Sequence, residues 1–339
     1  MNECVAFYPY INNRVYYIST MLGFIEKEYR VIDYKELKNG LYSLKNVRTI
    51  YLNWIEDALD NSDCELLRAA KRRRINIIWV FHNRISHDVK NYQLAIANIQ
   101  FLIKVSTKII IHSKSSIKFL REYSSNINSK KVFFIPIPNH SGDYFSLGDE
   151  IKKIRVEKDE FVFAMYGLIR PYKNIELLIE AFKRISEGYK CRLLIVGGAK
   201  NEEYFNKLEN SSKGFENIII RNYHINSLEM AAFLEKADVL VLPYDDVSSM
   251  NSGVMIMAFS YKKTVIVPDI CMADDFDDSL FYKYHYDSEK DHVEKLYCKM
   301  KEACLAGKII NAEKGKALYE EVRSKNSKEN VCRELLKLV

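Results

Sequence analysis

Apolar and polar positions along the chain alternate between two periods. Short runs rich in β-branched and aromatic residues recur at Cys4–Tyr8, Tyr29–Asp33, Thr49–Trp54, Ile75–Phe81, Lys108–His112 and Lys131–Ile135. Runs of this length and composition predict strands. Between them lie stretches with apolar residues at helical spacing: Arg14–Lys27, Asp63–Arg73, Lys90–Lys104 and Ser113–Tyr123, the last with Ser113 as candidate N-cap. The pattern breaks from Pro136 to Glu157, where Pro136, Pro138, Asn139, Ser141 and Gly142 cluster ahead of a charged run, which predicts a linker.

Beyond the linker the alternation restarts. Strands are expected at Phe161–Tyr166, Arg192–Val196, Asn217–Asn222, Val239–Leu242 and Thr264–Val267. Helices are expected at Asn174–Ile185, at Ser227–Lys236 with Ser227 as cap, at Asn251–Tyr261, and over most of Glu289–Leu305 and Ala312–Leu338. Strands alternating with helices imply right-handed β-α-β units and parallel sheets. Two such sets predict an α/β protein of two doubly wound, Rossmann-like domains, residues 1–157 and 158–318, with 319–339 as a C-terminal helix packing back toward the first domain. Ligands of such sheets bind outside the carboxyl ends of the strands, so the cleft between the domains is the expected site.

Composition narrows the class. No apolar run approaches the ~18–20 residues of a membrane span, and MNECVAFYPYINNRVYY has no basic region followed by a long apolar core, so no secretory signal is expected. The seven cysteines are odd in number and scattered, without Cys-x-x-Cys, which speaks against a disulfide framework or zinc ribbon and fits a reducing cytoplasm. Charge is unevenly placed: residues 1–157 carry a net +8 and the remainder a net −2. A basic half beside a neutral one suggests that the first half meets an anion: nucleic acid, a phosphorylated substrate or an acidic membrane face. Its densest cluster is Lys71-Arg72-Arg73-Arg74, with Arg68 one turn earlier; a solvated helix end favoured by the helix dipole is the alternative. No zinc finger, RNA-recognition signature or basic zipper accompanies it, so no nucleic-acid partner is expected.

Particular residues carry a resemblance. Tyr166-Gly-Leu-Ile-Arg-Pro-Tyr-Lys173-Asn, followed by a helix ending Glu180-Ala-Phe182, resembles the donor-domain opening of GT-B glycosyltransferases related to family 4. So do Ala237-Asp-Val-Leu-Val-Leu-Pro-Tyr244, Asn251-Ser-Gly-Val254, Ala258 and Val265-Ile-Val-Pro268. In the first half, Tyr51-Leu-Asn-Trp54-Ile-Glu56 and Trp79-Val-Phe-His82-Asn83, with His87 further on, resemble the acceptor-domain strands of the same enzymes. No single piece is specific, but their order and spacing match along most of the chain.

The resemblance implies a leaving nucleoside diphosphate whose charge is met by cations and backbone donors. Arg170 and Lys173 lie in the turn between the first strand of the second domain and its helix, aimed at a diphosphate near a helix N-terminus; surface loop cations are the alternative. Gly167 lets backbone approach the sugar nucleotide, or forms an ordinary tight turn. Asn251, Ser252 and Gly253 open a helix and are read as a phosphate cradle, or as plain capping. Tyr244 and Ile225 complete the candidate donor site, Ile225 through the backbone near the base. His82, ending a buried strand, is the sharpest catalytic candidate, a structural hydrogen-bonder being the alternative, and Glu56 and Asp57 are candidate bases toward the acceptor hydroxyl, or a solvated helix start. Asn12 and Asn13, where relatives carry a Gly-rich loop, are read with Asn83 and His87 as acceptor-binding.

Two departures stand out. Where many relatives have two Glu separated by seven residues, this chain has Ser249 and Met257, which leaves Asp245, Asp246 or Tyr244 to contact the sugar. Leu168 follows Gly167 where Arg is usual, so Arg170 substitutes from two positions on. No DxD run supports a metal-dependent plan, and Asp274-Asp275 and Asp277-Asp278 read as a solvated acidic loop. The expectation is a metal-independent hexosyltransferase with no cofactor. It would move a sugar from UDP- or GDP-sugar to a lipid-diphosphate-linked saccharide in polysaccharide (lipopolysaccharide or capsule) biosynthesis. It would be cytoplasmic, peripheral on an anionic membrane face through its basic first domain. A nucleotide-sugar 2-epimerase and a non-catalytic partner of the same fold are the alternatives.

Overall fold

The computed structural model describes residues 4–10, 16–85, 91–245 and 249–339. Its contacts divide the chain into two units: Met1–Pro138 with Val247–Asn251 and Asn326–Val339, and Asn139–Asp246 with Ser252–Lys325. The division falls at Pro138, earlier than the boundary expected at Glu157. Residues 139–157 join the second unit through backbone pairing: Phe145 N–H donates to Ser227 O, Leu147 N–H to Leu228 O, and Ala231 N–H to Phe145 O. A Cβ built at Gly148 would fall 1.9 Å from Glu229 Cγ, so this pairing admits no side chain there.

In the first unit the strands are β1 (Cys4–Tyr8), β2 (Arg30–Asp33), β3 (Val47–Asn53), β4 (Asn76–Phe81), β5 (Lys108–Ile111) and β6 (Val132–Phe134), all parallel in the order β2-β1-β3-β4-β5-β6. Ile77 through Phe81 are fully buried, as in a sheet covered on both faces. Helices α1 (Tyr16–Ile25), α2 (Tyr34–Lys38), α3 (Asn61–Arg72), α4 (Tyr92–Val105) and α5 (Ile117–Tyr123) connect them. Asp60 and Asp63 form a capping box on α3. Asp63 is buried, so it also needs the Tyr34 hydroxyl at 2.9 Å and Lys38 Nζ at 2.9 Å. Ser113 does not cap α5: a 3₁₀ turn at 114–116 intervenes, and its side chain makes no capping bond.

The second unit has β7 (Phe161–Tyr166), β8 (Cys191–Gly197), β9 (Ile218–Asn222), β10 (Val239–Val241), β11 (Thr264–Pro268) and β12 (Tyr282–Tyr284), with α6 (Ile175–Ser186), α7 (Glu202–Ser212), α8 (Met230–Lys236), α9 (Gly253–Ser260) and α10 (Glu289–Lys325). The order β12-β11-β10-β7-β8-β9 is the dinucleotide-binding permutation, with its switch point between β7 and β10. Glu229, not Ser227, occupies the N-cap position of α8. The break expected near residue 306 is a kink at Gly307, whose φ is 75°.

Helix α11 (Lys328–Leu336) returns to the first unit, where it packs on α1. The segment after it crosses the amino ends of three strands. Thr49 Oγ1 donates to Val339 O at 2.8 Å, and Asn76 Nδ2 to Leu338 O at 2.7 Å; Arg48 and Lys108 bond the same two carbonyls.

Candidate functional site

In the second unit, β7 runs into Gly167 at φ 100°, left-handed backbone that favours glycine. A Cβ on Gly197 at the end of β8 would fall 1.7 Å from Gly167 O, so the two strand ends meet backbone to backbone. The turn Pro171–Lys173 follows. Asn174 Nδ2 donates to Pro243 O at 3.0 Å, and Asp245 N–H to Tyr172 O at 3.0 Å. These bonds staple the loop after β7 to the loop after β10, on both sides of the switch point. A sequence reading has no signal for such a staple, because it joins residues 69 apart.

Lys173 lies between the two loops. It is only 4% exposed, and its Nζ stands 5.7 Å from the Tyr244 ring centroid. Among the described residues no carboxylate pairs with it. Burial, and then the Arg170 guanidinium, push its ammonium down to about 7. A Cβ on Gly167 would come 3.6 Å from Lys173 Nζ and 3.8 Å from Val254 Cγ2, so the absent side chain leaves room between the ammonium and the start of α9. Ser252 caps α9, its Oγ accepting from Met255 N–H at 3.1 Å, and lies beside the Tyr244 hydroxyl. Space is open at Gly253. A buried uncompensated cation, an open helix N-terminus and a glycine-made gap together favour an anion. Gly167, Arg170, Lys173, Tyr244, Ser252 and Gly253 are thus gathered at one switch point. Ile225 is buried on the loop after β9, where Tyr223 N–H donates to Gly197 O.

Asn251 is placed differently. Its contacts place it in the first unit, where its Nδ2 donates to His82 O at 2.7 Å. Ser249 and Met257, which replace the Glu pair, are both buried.

The first unit holds a ring cluster at the carboxyl ends of β3, β4 and β5. His82 Nε2 meets Asn53 Oδ1 at 3.2 Å. Asn53 Nδ2 donates to Tyr8 O at 3.0 Å, which fixes Oδ1 as an acceptor. His82 therefore carries its proton on Nε2 and leaves Nδ1 as a lone pair. Trp54 stacks on His82 at 4.4 Å, 25° between planes, from a strained backbone at φ 46°. Tyr17 meets His82 edge-on at 5.0 Å, and His112 approaches at 4.9 Å. Burial, then His112, hold His82 well below the usual histidine range. His112 donates Nδ1–H to Ile135 O at 2.7 Å; its Nε2 is buried with no hydrogen-bond partner among the described residues. Sequence reasoning missed His112, although a histidine directly after a strand is the same signal that singled out His82.

Glu56 lies outside this cluster. Its carboxylate accepts from Trp79 Nε1 at 2.8 Å, and burial pushes it up to about 7. Asn83 follows His82 directly and is half-buried. Asn12, Asn13, His87 and Asp246 lie outside the described residues. In the acidic loop, Lys283 pairs with Asp278 at 2.8 Å and Asp274 at 3.4 Å.

Residues 148–297 match the family described as Glycosyl transferases group 1. A GDP-mannose:glycolipid 4-beta-D-mannosyltransferase of Xanthomonas campestris pv. campestris is 26% identical over 103 residues, 30% of this chain and 29% of that protein. A glycosyltransferase of Methanocaldococcus jannaschii is 22% identical over 224 residues, 61% of this chain and 54% of that protein. The chain thus spans from under a third to about half of these relatives. Among solved structures, Anabaena HepE with UDP and glucose covers 99% of both chains at TM-score 0.73 and 11% identity. Sucrose-phosphate synthase from Thermosynechococcus elongatus covers 92% of this chain and 80% of that one at TM-score 0.69 and 15% identity. These likenesses show the fold, two doubly wound parallel sheets of the GT-B plan.

Proposed function

We propose that this chain, a GT-B protein whose residues 148–297 match the glycosyl transferase group 1 family, transfers a hexose from a nucleoside-diphosphate sugar to an acceptor hydroxyl. The observation that carries this reading is Lys173, a buried ammonium with no counter-ion among the described residues, at the switch point of the matched unit. The bond from the anomeric carbon to the diphosphate oxygen breaks with its electron pair, and the acceptor oxygen bonds the same carbon and gives its proton to the departing diphosphate oxygen or to solvent. Lys173, Arg170 and the N-terminus of α9 meet the charge that develops on the leaving diphosphate. Gly167 admits the sugar nucleotide close to the backbone.

The first unit is assigned the acceptor. A histidine held well below its usual range stores a proton poorly, so His82 is read as an acceptor of a sugar or acceptor-hydroxyl hydrogen bond through Nδ1. Glu56 is better matched to a base near pH 7, but its oxygen is engaged by Trp79. The surplus positive charge of residues 1–157 supports an anionic acceptor, lipid-diphosphate-linked saccharide at a membrane face, as polysaccharide assembly requires. No helix among the described residues is long and apolar enough to cross a membrane.

The test begins with a thermal-shift screen of UDP, GDP and their sugars, since a ligand of the native state raises its stability. The donor so found is then incubated with a lipid-linked saccharide. A glycosylated lipid is expected. Altered free nucleotide sugar in its place would point to epimerisation, and binding without turnover to a partner role.

A further inference from the structure

The first unit carries a second basic feature, at the opposite ends of its strands from His82. A recess of about 590 Å³, within the range of ligand pockets, opens where α3 and α4 end and β6 begins. Lys71, Lys104 and Lys131 line it together with Ser106, Gln100 and Asn126, and its lining holds no carboxylate. Part of this is helix capping: Lys71 Nζ donates to Lys104 O at 2.5 Å, and Lys131 Nζ bonds Ile103 O. Capping leaves two observations unexplained. Each ammonium has three donors, and the carbonyl bonds use one on Lys71 and one on Lys131. Ser106 is 4% exposed, and its Oγ is buried without a hydrogen-bond partner among the described residues, an arrangement that costs stability. Lys131 is also held below the usual lysine range by desolvation and by Lys71, the strain an incoming anion relieves. Arg72, Arg73 and Arg74 are exposed beside the recess in sequence and extend its positive field.

We propose that this recess is a phosphate-binding site, in which Lys71, Lys104, Lys131 and the Ser106 hydroxyl hold the phosphate of a soluble phosphate compound or of a phospholipid headgroup. It is separate from the donor site, which lies in the other unit, and does not depend on the transferase reading.

The experiment is calorimetric titration of inorganic phosphate into the full chain carrying Lys173→Gln, which removes the ammonium of the donor site. Saturable one-site binding is expected, weakened at least tenfold by Lys71→Gln with Lys131→Gln. That pair also removes two capping bonds, so Ser106→Ala serves as the second variant. It keeps both bonds and should weaken phosphate about threefold or more while its unfolding midpoint holds or rises. Absence of saturable binding, or equal affinity in all three proteins, would overturn the site. Sedimentation with phosphatidylglycerol and phosphatidylcholine vesicles then separates the sources. Binding to the anionic vesicles alone, displaced by inorganic phosphate and lost in the lysine variant, assigns a headgroup; phosphate binding without vesicle binding assigns a soluble compound. Vesicle binding that survives the lysine substitutions would refute the recess as a headgroup site.

Discussion

Lys173 makes nucleotide binding dependent on pH in a calculable way. Burial and Arg170 bring its ammonium down to about 7, while a bound diphosphate stabilises the charged form and draws it back up. Above pH 7 the free protein therefore takes up a proton when the nucleotide binds. With a free pKa near 7, about a quarter of the molecules are charged at pH 7.5 and roughly 3% at pH 8.5. The dissociation constant for UDP or GDP should rise about eightfold across that interval, or ~1.2 kcal/mol at 1.36 kcal/mol per unit. The nucleotide's own secondary ionisation, near 6, is complete throughout and does not contribute. Calorimetry in two buffers of different ionisation enthalpy should show uptake approaching one proton at pH 8.5. Lys173→Gln should bind more weakly and lose both the slope and the uptake. A dissociation constant that stays flat from pH 7.5 to 8.5 in the native chain would refute the argument.

The other expectations concern both units. His82→Ala should lower transfer about a hundredfold or more while leaving the nucleotide dissociation constant unchanged, as read by steady-state kinetics and calorimetry. Glu56 has a folded value near 7 against 4.5 in the unfolded chain, so its contribution is present below pH 4.5 and lost as pH rises through 7. Glu56→Gln should therefore gain about 1–2 kcal/mol over the native chain at pH 8 and nothing at pH 4.5, measured by urea unfolding. Gly197→Ala drives a methyl into Gly167 O and should cost about 2–3 kcal/mol, seen as a lower denaturation midpoint, with weaker nucleotide binding. Deleting residues 326–339 removes buried Val331, Leu335, Leu338 and Val339, each worth about 1.5–3 kcal/mol, and should abolish cooperative unfolding of the first unit by circular dichroism.

What the sequence disclosed follows from which forces are local. Eleven of the twelve strands among the described residues announce themselves as β-branched or aromatic runs, because a parallel sheet covered on both faces needs apolar residues continuously. The strand β12, Tyr-Lys-Tyr, is too short and mixed to show that pattern, and α7 has only Tyr204 and Leu208 buried, too few for a visible apolar face. Ser113 and Ser227 have the chemistry of caps, but whether a hydroxyl caps depends on where neighbouring turns begin. In the site, Gly167, Lys173, Tyr244 and Ser252 were legible because each follows a strand or opens a helix. The bond of Asn251 was not, since its partner is a backbone carbonyl 169 residues away. Trp54 likewise showed its residue type but not the left-handed backbone that turns its indole onto His82.

The final residues of the chain have a temporal meaning. Thr49 and Asn76 leave the ribosome early, yet the carbonyls they grip belong to Leu338 and Val339. The second unit is encoded wholly within that interval and can settle while synthesis continues. The first must wait, its sheet built but unlatched, until Leu338 and Val339 have been made. A stall or truncation anywhere between residues 139 and 337 thus leaves the first sheet without its latch.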